Sequence, residues 1–282
     1  MALVINTNVA SLNAQRNIAS SQSSLATSLQ RLSSGLRVNS AKDDAAGLYA
    51  AELMSADIRG VNQASRNASD GISLAQTAEG ALGQIANNVQ RIREIAVQSS
   101  NGTVQDRTGL QAEVDQLTQE ISRIVDTTEF NGTSLFTSAT SITFQVGQDG
   151  AANNQVSVST INLDTAGASG LHTYSGSLTA TSTVNVSSAA TASAAIGNMD
   201  TDIAKIAQNR ATFGAVQNRF EAVISNLQNY AENLTAARSR IMDTDFAMET
   251  ANLTRTQVLQ QAGVAMLSQA NATPQSVLAL LR

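Results

Sequence analysis

Cysteine is absent from the 282 residues, so the chain has neither disulfide staples nor thiolate metal ligands, and it carries no redox clue to its compartment. Tryptophan is absent as well, and six phenylalanines and three tyrosines make up the whole aromatic content. So few bulky side chains argue against a thick globular interior and for long, slim helices packed through small residues. Lysine occurs only at positions 42 and 205, and a net charge of -5 argues against nucleic acid, whose phosphates demand clustered cations. No run approaches the roughly 18 to 20 consecutive apolar residues that a membrane span requires. The early apolar run is only Ala2 to Ile5 and the first charge is Arg16, so no ordinary secretory signal is expected. A chain of this kind that leaves the cell would need another route.

The same poverty extends to catalytic chemistry. His172 is the only histidine, set in low-complexity sequence, and reads as incidental. One histidine cannot supply the paired ligands of a metalloprotease helix, and neither a nucleophile-elbow nor a phosphate-loop motif occurs. Asp243 and Asp245 read as helix caps, since no calcium-loop ligand series follows them. No catalytic residue, cofactor site or metal site is therefore expected, and the chain is not read as an enzyme.

What is present is helical periodicity. From Ile5 the positions Val9, Leu12, Ile18, Leu25, Leu29, Leu32 and Leu36 recur mostly at three and four, and Arg16, Arg31 and Arg37 are the only charges before Lys42. Such an arm is on the order of 50 Å long and, alone in water, leaves its apolar stripe unburied. Ser33, Ser34 and Gly35 weaken the helix. Asn39 and Ser40 are candidate caps for a fresh start, with Asp43 and Asp44 in its first turn. A helix softly interrupted at Gly60 follows, then the seam Leu82, Ile85, Val89, Ile92, Ala96, a break at Asn101-Gly102, a second seam from Leu110 to Ile124, and a turn signal at Asn131-Gly132. Alternation at Ile142, Phe144 and Val146 and again at Val156 and Val158 predicts a β-hairpin. Residues 164–195, nearly all Ala, Ser, Thr, Gly and Asn, read as an exposed, poorly ordered excursion. A return helix is expected near Met199, with Asp200 and Asp202 at its start, carrying a strict heptad run from Val223 to Ile241. After the break at Asp243 to Asp245, a second sparsely charged arm bears Leu259, Gly263, Met266 and Ala270, and Pro274 is expected to open a last short helix.

The expected fold is thus mainly α: a long antiparallel coiled-coil helical bundle with paired N- and C-terminal helices and a small β-hairpin excursion. Its parts are an N-terminal arm over 1–40, bundle over 41–137, hairpin and loop over 138–197, bundle over 198–244 and a C-terminal arm over 245–282. Two slender arms cannot bury apolar positions all round their circumference by pairing with each other, so the remainder should be covered by other copies. Repetition of a contact whose rotation does not close makes an open filament, although periodicity alone equally describes a closed bundle oligomer.

The run QRLSSGLRVNSAKDDAAG, from Gln30 to Gly47, with the opening MALVINTN and the ending SVLALLR, resembles bacterial flagellin over roughly 1–137 and 198–282. The resemblance implies a filament subunit for motility, secreted to the extracellular flagellum by the flagellar type III route, with arms ordered only on assembly. It implies inner-core contacts at Ile5, Leu12, Leu25, Leu29, Leu32, Leu259, Met266 and Leu280, and as partners other copies, a filament cap, an export chaperone and hook-associated proteins. It further implies two segments resembling those that host immune receptors bind. One is Gln30 to Ala51, matching a peptide sensed by a plant receptor kinase. The other comprises Arg91, Glu94, Ile95, Gln98 and Glu113, matching a surface bound by a vertebrate Toll-like receptor. A hook-filament junction protein is the main alternative, and a secreted coiled-coil adhesin or effector the third. The short middle, about 60 residues between Ser138 and Gly197, leaves room for a hairpin and loop only, as in a thin, smooth filament.

Overall fold

The computed structural model describes residues 7–164 and 170–280, with side chains up to Thr273. Its helices are α1 (Val9–Ser34), α2 (Ala45–Ser100), α3 (Thr108–Thr127), α4 (Ala189–Met242) and α5 (Phe246–Leu280). Its strands are β1 (Glu129–Phe130), β2 (Thr133–Ser134), β3 (Ser141–Gln145) and β4 (Gln155–Ser159). The chain divides into two compact units, Arg59–Ala231, and Met1–Ile58 with Glu232–Arg282.

In the first of these, α2 buries Val61, Ala64, Ala68, Gly71, Ala75, Ala78, Leu82, Ile85, Val89, Ile92, Ala96 and Ser99, an unbroken alternation of three and four, with Leu74, Ala86 and Ile95 buried beside that line. That spacing is the signature of a coiled-coil seam. The helix runs through Gly60 without interruption, against the expectation of a soft break there: one glycine costs about 1 kcal/mol, far less than a seam this long returns. Gly71 occupies a seam position for a steric reason. A Cβ there would stand 2.6 Å from the Phe220 ring of α4. Phe220 in turn packs edge-on against Phe144 of β3, with ring centroids 5.5 Å apart at 83°. The sequence expectation of a hairpin is met: β3 and β4 pair antiparallel, Phe144 opposite Val156 and Ile142 opposite Val158. The Asn131-Gly132 signal closes a second, smaller hairpin, β1 with β2, both turn residues having the positive φ that a type I′ turn requires.

Two expectations about the middle of the chain are corrected. The return helix α4 begins at Ala189, ten residues earlier than read, and Asp202 lies buried within it rather than at its start. Residues 170–188 are not a loose excursion. Leu171, Tyr174, Val184 and Val186 are buried in the main core, and the intervening polar backbone is tied down side chain by side chain. Asp202 accepts from the His172 and Thr173 backbone N–H groups at 3.0 Å each and from the Thr173 hydroxyl at 3.1 Å, and its Oδ1 lies 2.8 Å from His172 Nδ1. On α3, Gln111, Asp115, Gln119, Ser122 and Asp126 form a polar stripe at helical spacing, and every one of them holds this strap. Gln111 grips the end of the strap on both sides of Asn185, at Val184 O (2.9 Å) and Val186 N (2.7 Å). Asp115 accepts from Ser182 N, Gln119 donates to Ala180 O, Ser122 accepts from Ser175 N, and Asp126 accepts from the Tyr174 hydroxyl. Low apolar content did not mean disorder, because buried backbone groups found partners on neighbouring helices.

In the other unit, α1 starts at Asn8, whose Oδ1 accepts from Ser11 N at 3.1 Å, and stops at Gly35, which takes the left-handed conformation at φ 71°. The following residues form a short antiparallel bridge, Leu36 opposite Asp243, with Arg37 N donating to Met242 O and Thr244 N to Gly35 O. Here the caps differ from expectation. Asp43 accepts from Asn39 N, Ser40 N and the Ser40 hydroxyl, which holds its carboxyl below the usual range, so it closes a loop rather than sitting in a first turn. Asp44 then accepts from Gly47 N at 2.8 Å, the capping contact that precedes α2. The α5 helix runs through Pro274, which opens no separate helix. Proline lacks the N–H that would bond the carbonyl four residues earlier. That carbonyl, Ala270 O, accepts instead from the Asn8 side-chain amide at 2.8 Å.

Candidate assembly surface

The arms α1 and α5 pair antiparallel, Asn8 meeting Ala270, Ile18 meeting Gly263 and Arg31 meeting Glu249. The seam positions of α1 are Ser11, Ala14, Ile18, Ser21, Leu25, Ser28 and Leu32, and those of α5 are Glu249, Leu253, Thr256, Gln260, Gly263, Leu267 and Ala270, with Thr27, Arg31 and Asn252 half-shielded beside them. Both sets keep heptad spacing, but their content is mostly small or polar. A Cβ on Gly263 would lie 2.8 Å from Ile18 Cγ1, so the backbones approach closely there.

The larger apolar residues mostly point elsewhere. Leu12 is 50% exposed, Leu29 51%, Leu259 51% and Met266 64%, and Val9, Val258 and Val264 are exposed beside them. Of the eight residues implied for core assembly, Leu25 and Leu32 are half-buried in the pairing seam and these four are open to solvent. Ile5 and the side chain of Leu280 lie outside the described residues. Large apolar side chains left open along slender paired helices mark an interaction surface.

On α2, Arg91 bridges Glu113 of α3 (2.8 Å) and Glu94 (3.0 Å), and these hydrogen bonds, Glu113's first, raise its pKa above the usual arginine value. Gln98 is exposed beside them. Ile95, expected on this same surface, is fully buried. It flanks the Ile92–Ala96 seam and points into the core, so the exposed set is Arg91, Glu94, Gln98 and Glu113. Among the described residues no group of three or more His, Asp or Glu side chains gathers as a metal site, and no helix is long and apolar enough to cross a membrane.

Comparison with known proteins matches residues 5–141 to the bacterial flagellin N-terminal helical region and residues 196–281 to the bacterial flagellin C-terminal helical region. A flagellin of Halalkalibacterium halodurans is 44% identical over 283 residues, covering 99% of this chain and 100% of the relative. A Bacillus subtilis flagellin is 42% identical, covering 99% of each chain, and a flagellar filament 33 kDa core protein of Treponema phagedenis is 41% identical over 99% of this chain and 100% of its own. A crystal structure of Bacillus cereus flagellin is 33% identical, with 61% of this chain and 94% of that one covered and a TM-score of 0.47.

Proposed function

Because this chain belongs to the bacterial flagellin family, and is thus a structural subunit of the flagellar filament, we propose that it propagates that filament through its paired arms. The observation that carries the reading is the inversion of the arm seam: small and polar residues are spent on α1–α5 pairing, while Leu12, Leu29, Leu259 and Met266 stay open. Covering the exposed half of one leucine contributes about 1 kcal/mol, and several such positions repeated along every arm make lateral association favourable. A heterologous contact that does not close then extends without limit. Ile5, Leu25, Leu32 and Leu280 complete the proposed core set.

The division proposed for assembly is 1–40 and 245–282 as inner arms, 41–137 and 198–244 as bundle, and 138–197 as the outward face. The other proposed features are export by the flagellar type III route, folding of the arms on assembly, and docking to a cap, an export chaperone and hook-associated proteins. Arg91, Glu94, Gln98 and Glu113 form a proposed receptor-facing patch, with Gln30 to Ala51 as a second recognised segment.

Purified monomer added to sheared filament seeds tests the reading by electron microscopy. Long filaments from the intact chain, and none from a variant lacking residues 1–30, are expected. Growth by the truncated variant refutes the role of the arms. No growth from the intact chain favours a junction protein that joins other parts.

A further inference from the structure

Between α1 and α5 lies a cleft of about 350 Å³, lined by Ser24, Thr27, Ser28, Arg31, Glu249, Asn252, Arg255 and Thr256. Three of its hydroxyls are already committed: Ser24, Thr27 and Thr256 donate to carbonyls of their own helices. The strongest donors left, beside the Ser28 hydroxyl and the Asn252 amide, are the two guanidinium groups. Arg31 Nε is buried and has no hydrogen-bond partner, and the nearest contact of its guanidinium to Glu249 is 3.7 Å, an ion pair beyond hydrogen-bond length. Arg255 has only a 3.3 Å bond to Asn252 of its own helix, and no ion pair among the described residues. Two donor-only groups, one with a buried orphan nitrogen, call for a ligand that is all acceptor.

We infer that this cleft binds a carboxylate supplied by a second copy of the chain. The inference rests on the assembly reading. Val258 and Leu259 stand three and four residues from Arg255, on the same side of α5, and are exposed, so a partner covering them also dries the cleft. A cation taken from water without a counter-charge is strongly disfavoured, so a productive partner brings an anion in the same contact. The chain has suitable donors of that charge. Within the arm-bearing unit, Asp43, Asp44, Asp243 and Asp245 are engaged in loop and cap hydrogen bonds. Glu52, Asp57 and Glu232 make no ion pair or side-chain hydrogen bond among the described residues. Bidentate guanidinium–carboxylate pairing fixes direction as well as adding affinity, and so selects one register among the many an apolar face permits.

The test measures critical concentration in seeded elongation for the full chain and for Arg255→Gln, a residue outside the α1–α5 ion pair. A rise of about tenfold is expected for Arg255→Gln, with helix content by circular dichroism unchanged and a weaker dependence on sodium chloride than the wild type. Among Glu52→Gln, Asp57→Asn and Glu232→Gln, one reproduces that rise, and combining it with Arg255→Gln adds no further loss. Elongation of Arg255→Gln like the wild type overturns the inference, as does failure of all three acidic variants to show the defect. Sodium phosphate at matched ionic strength separates the remaining case. If it lowers the critical concentration of the wild type but not of Arg255→Gln, the cleft takes a free anion and the inter-copy pairing is wrong. Failure of the wild type itself to elongate refutes the filament reading instead.

Discussion

Replacing Gly71 by alanine adds one methyl group to the middle of α2 and sets two effects against each other. Alanine is favoured over glycine in a helix by about 1 kcal/mol. Against this, the new Cβ stands 2.6 Å from Phe220 Cε2 and 2.6 Å from Cζ, where carbon contacts prefer roughly 3.5–4.0 Å. The ring must retreat by about 1 Å. It has nowhere easy to go, because Phe220 is fully buried and Phe144 packs edge-on against it. Overpacking of this kind costs about 1–3 kcal/mol, so Gly71→Ala is expected to lose up to about 2 kcal/mol net. For a unit of this size that is a fall of about 2–4 °C in Tm per kcal/mol. Gly80 is the internal control: it lies in the same helix with nothing within 4 Å of its virtual Cβ, so Gly80→Ala should raise stability by about 1 kcal/mol. Urea unfolding of the monomer followed by circular dichroism reads both. The steric account also requires that Gly71→Ala turn neutral or favourable in a Phe220→Leu background. A gain for Gly71→Ala in the wild-type background as large as that for Gly80→Ala refutes it.

Asn8→Ala removes a helix cap and the donor to Ala270 O, and in the assembled filament, where the arms are folded, is expected to cost about 1 kcal/mol and speed amide exchange in the first turn of α1. In a Pro274→Ala background, which restores an N–H for that carbonyl, the cost should shrink; an unchanged cost removes the proline from the explanation. Asp202→Asn places an amide among donors that face a carboxylate, and is expected to lose about 2–3 kcal/mol and release the 170–188 strap to limited proteolysis. Wild-type resistance to cleavage would show that the strap is held by its apolar residues alone. Burial first, and then the hydrogen bond to Asp126, pushes the Tyr174 phenol up to about 12. A raised folded pKa contributes stability in full below the ordinary value near 10.0, lost as pH rises towards 12. Ultraviolet titration should therefore show a late phenolate step that vanishes in Tyr174→Phe, and stability between pH 10 and 12 should fall less steeply in that variant.

The helices and the β3–β4 hairpin were legible because their signals are periodic and local. The seam at Leu82, Ile85, Val89, Ile92 and Ala96 needed only spacing, and Phe144 and Val156 needed only alternation. The strap was illegible for a reason that a composition count cannot see: its order comes from polar side chains on other elements. Two signals did point to it. Asp202 falls at a heptad position between Met199 and Ile206, where an unpartnered charge would be prohibitive, and Gln111, Asp115, Gln119, Ser122 and Asp126 recur on one face of α3. The arm surface was half legible. Periodicity found the apolar positions but could not say which stripe pairs within the chain, because Ser11, Ser28 and Gly263 look like spacers until two backbones are brought together.

The contrast between the hairpin and the strap bears on where foreign sequence can be carried. The β3–β4 turn ends in exposed residues around Gly150, and nothing lies within 4 Å of a Cβ added there. A peptide spliced after Gly150 would lengthen a loop between two strands whose pairing is already fixed, at a closure cost that grows only slowly with length. The strap, although it looks the more dispensable of the two, has its turns spaced to match successive side chains of α3, and an added residue would put every later contact out of step. A display platform built on this subunit therefore has its cargo site at the tip of the hairpin, one copy per protomer.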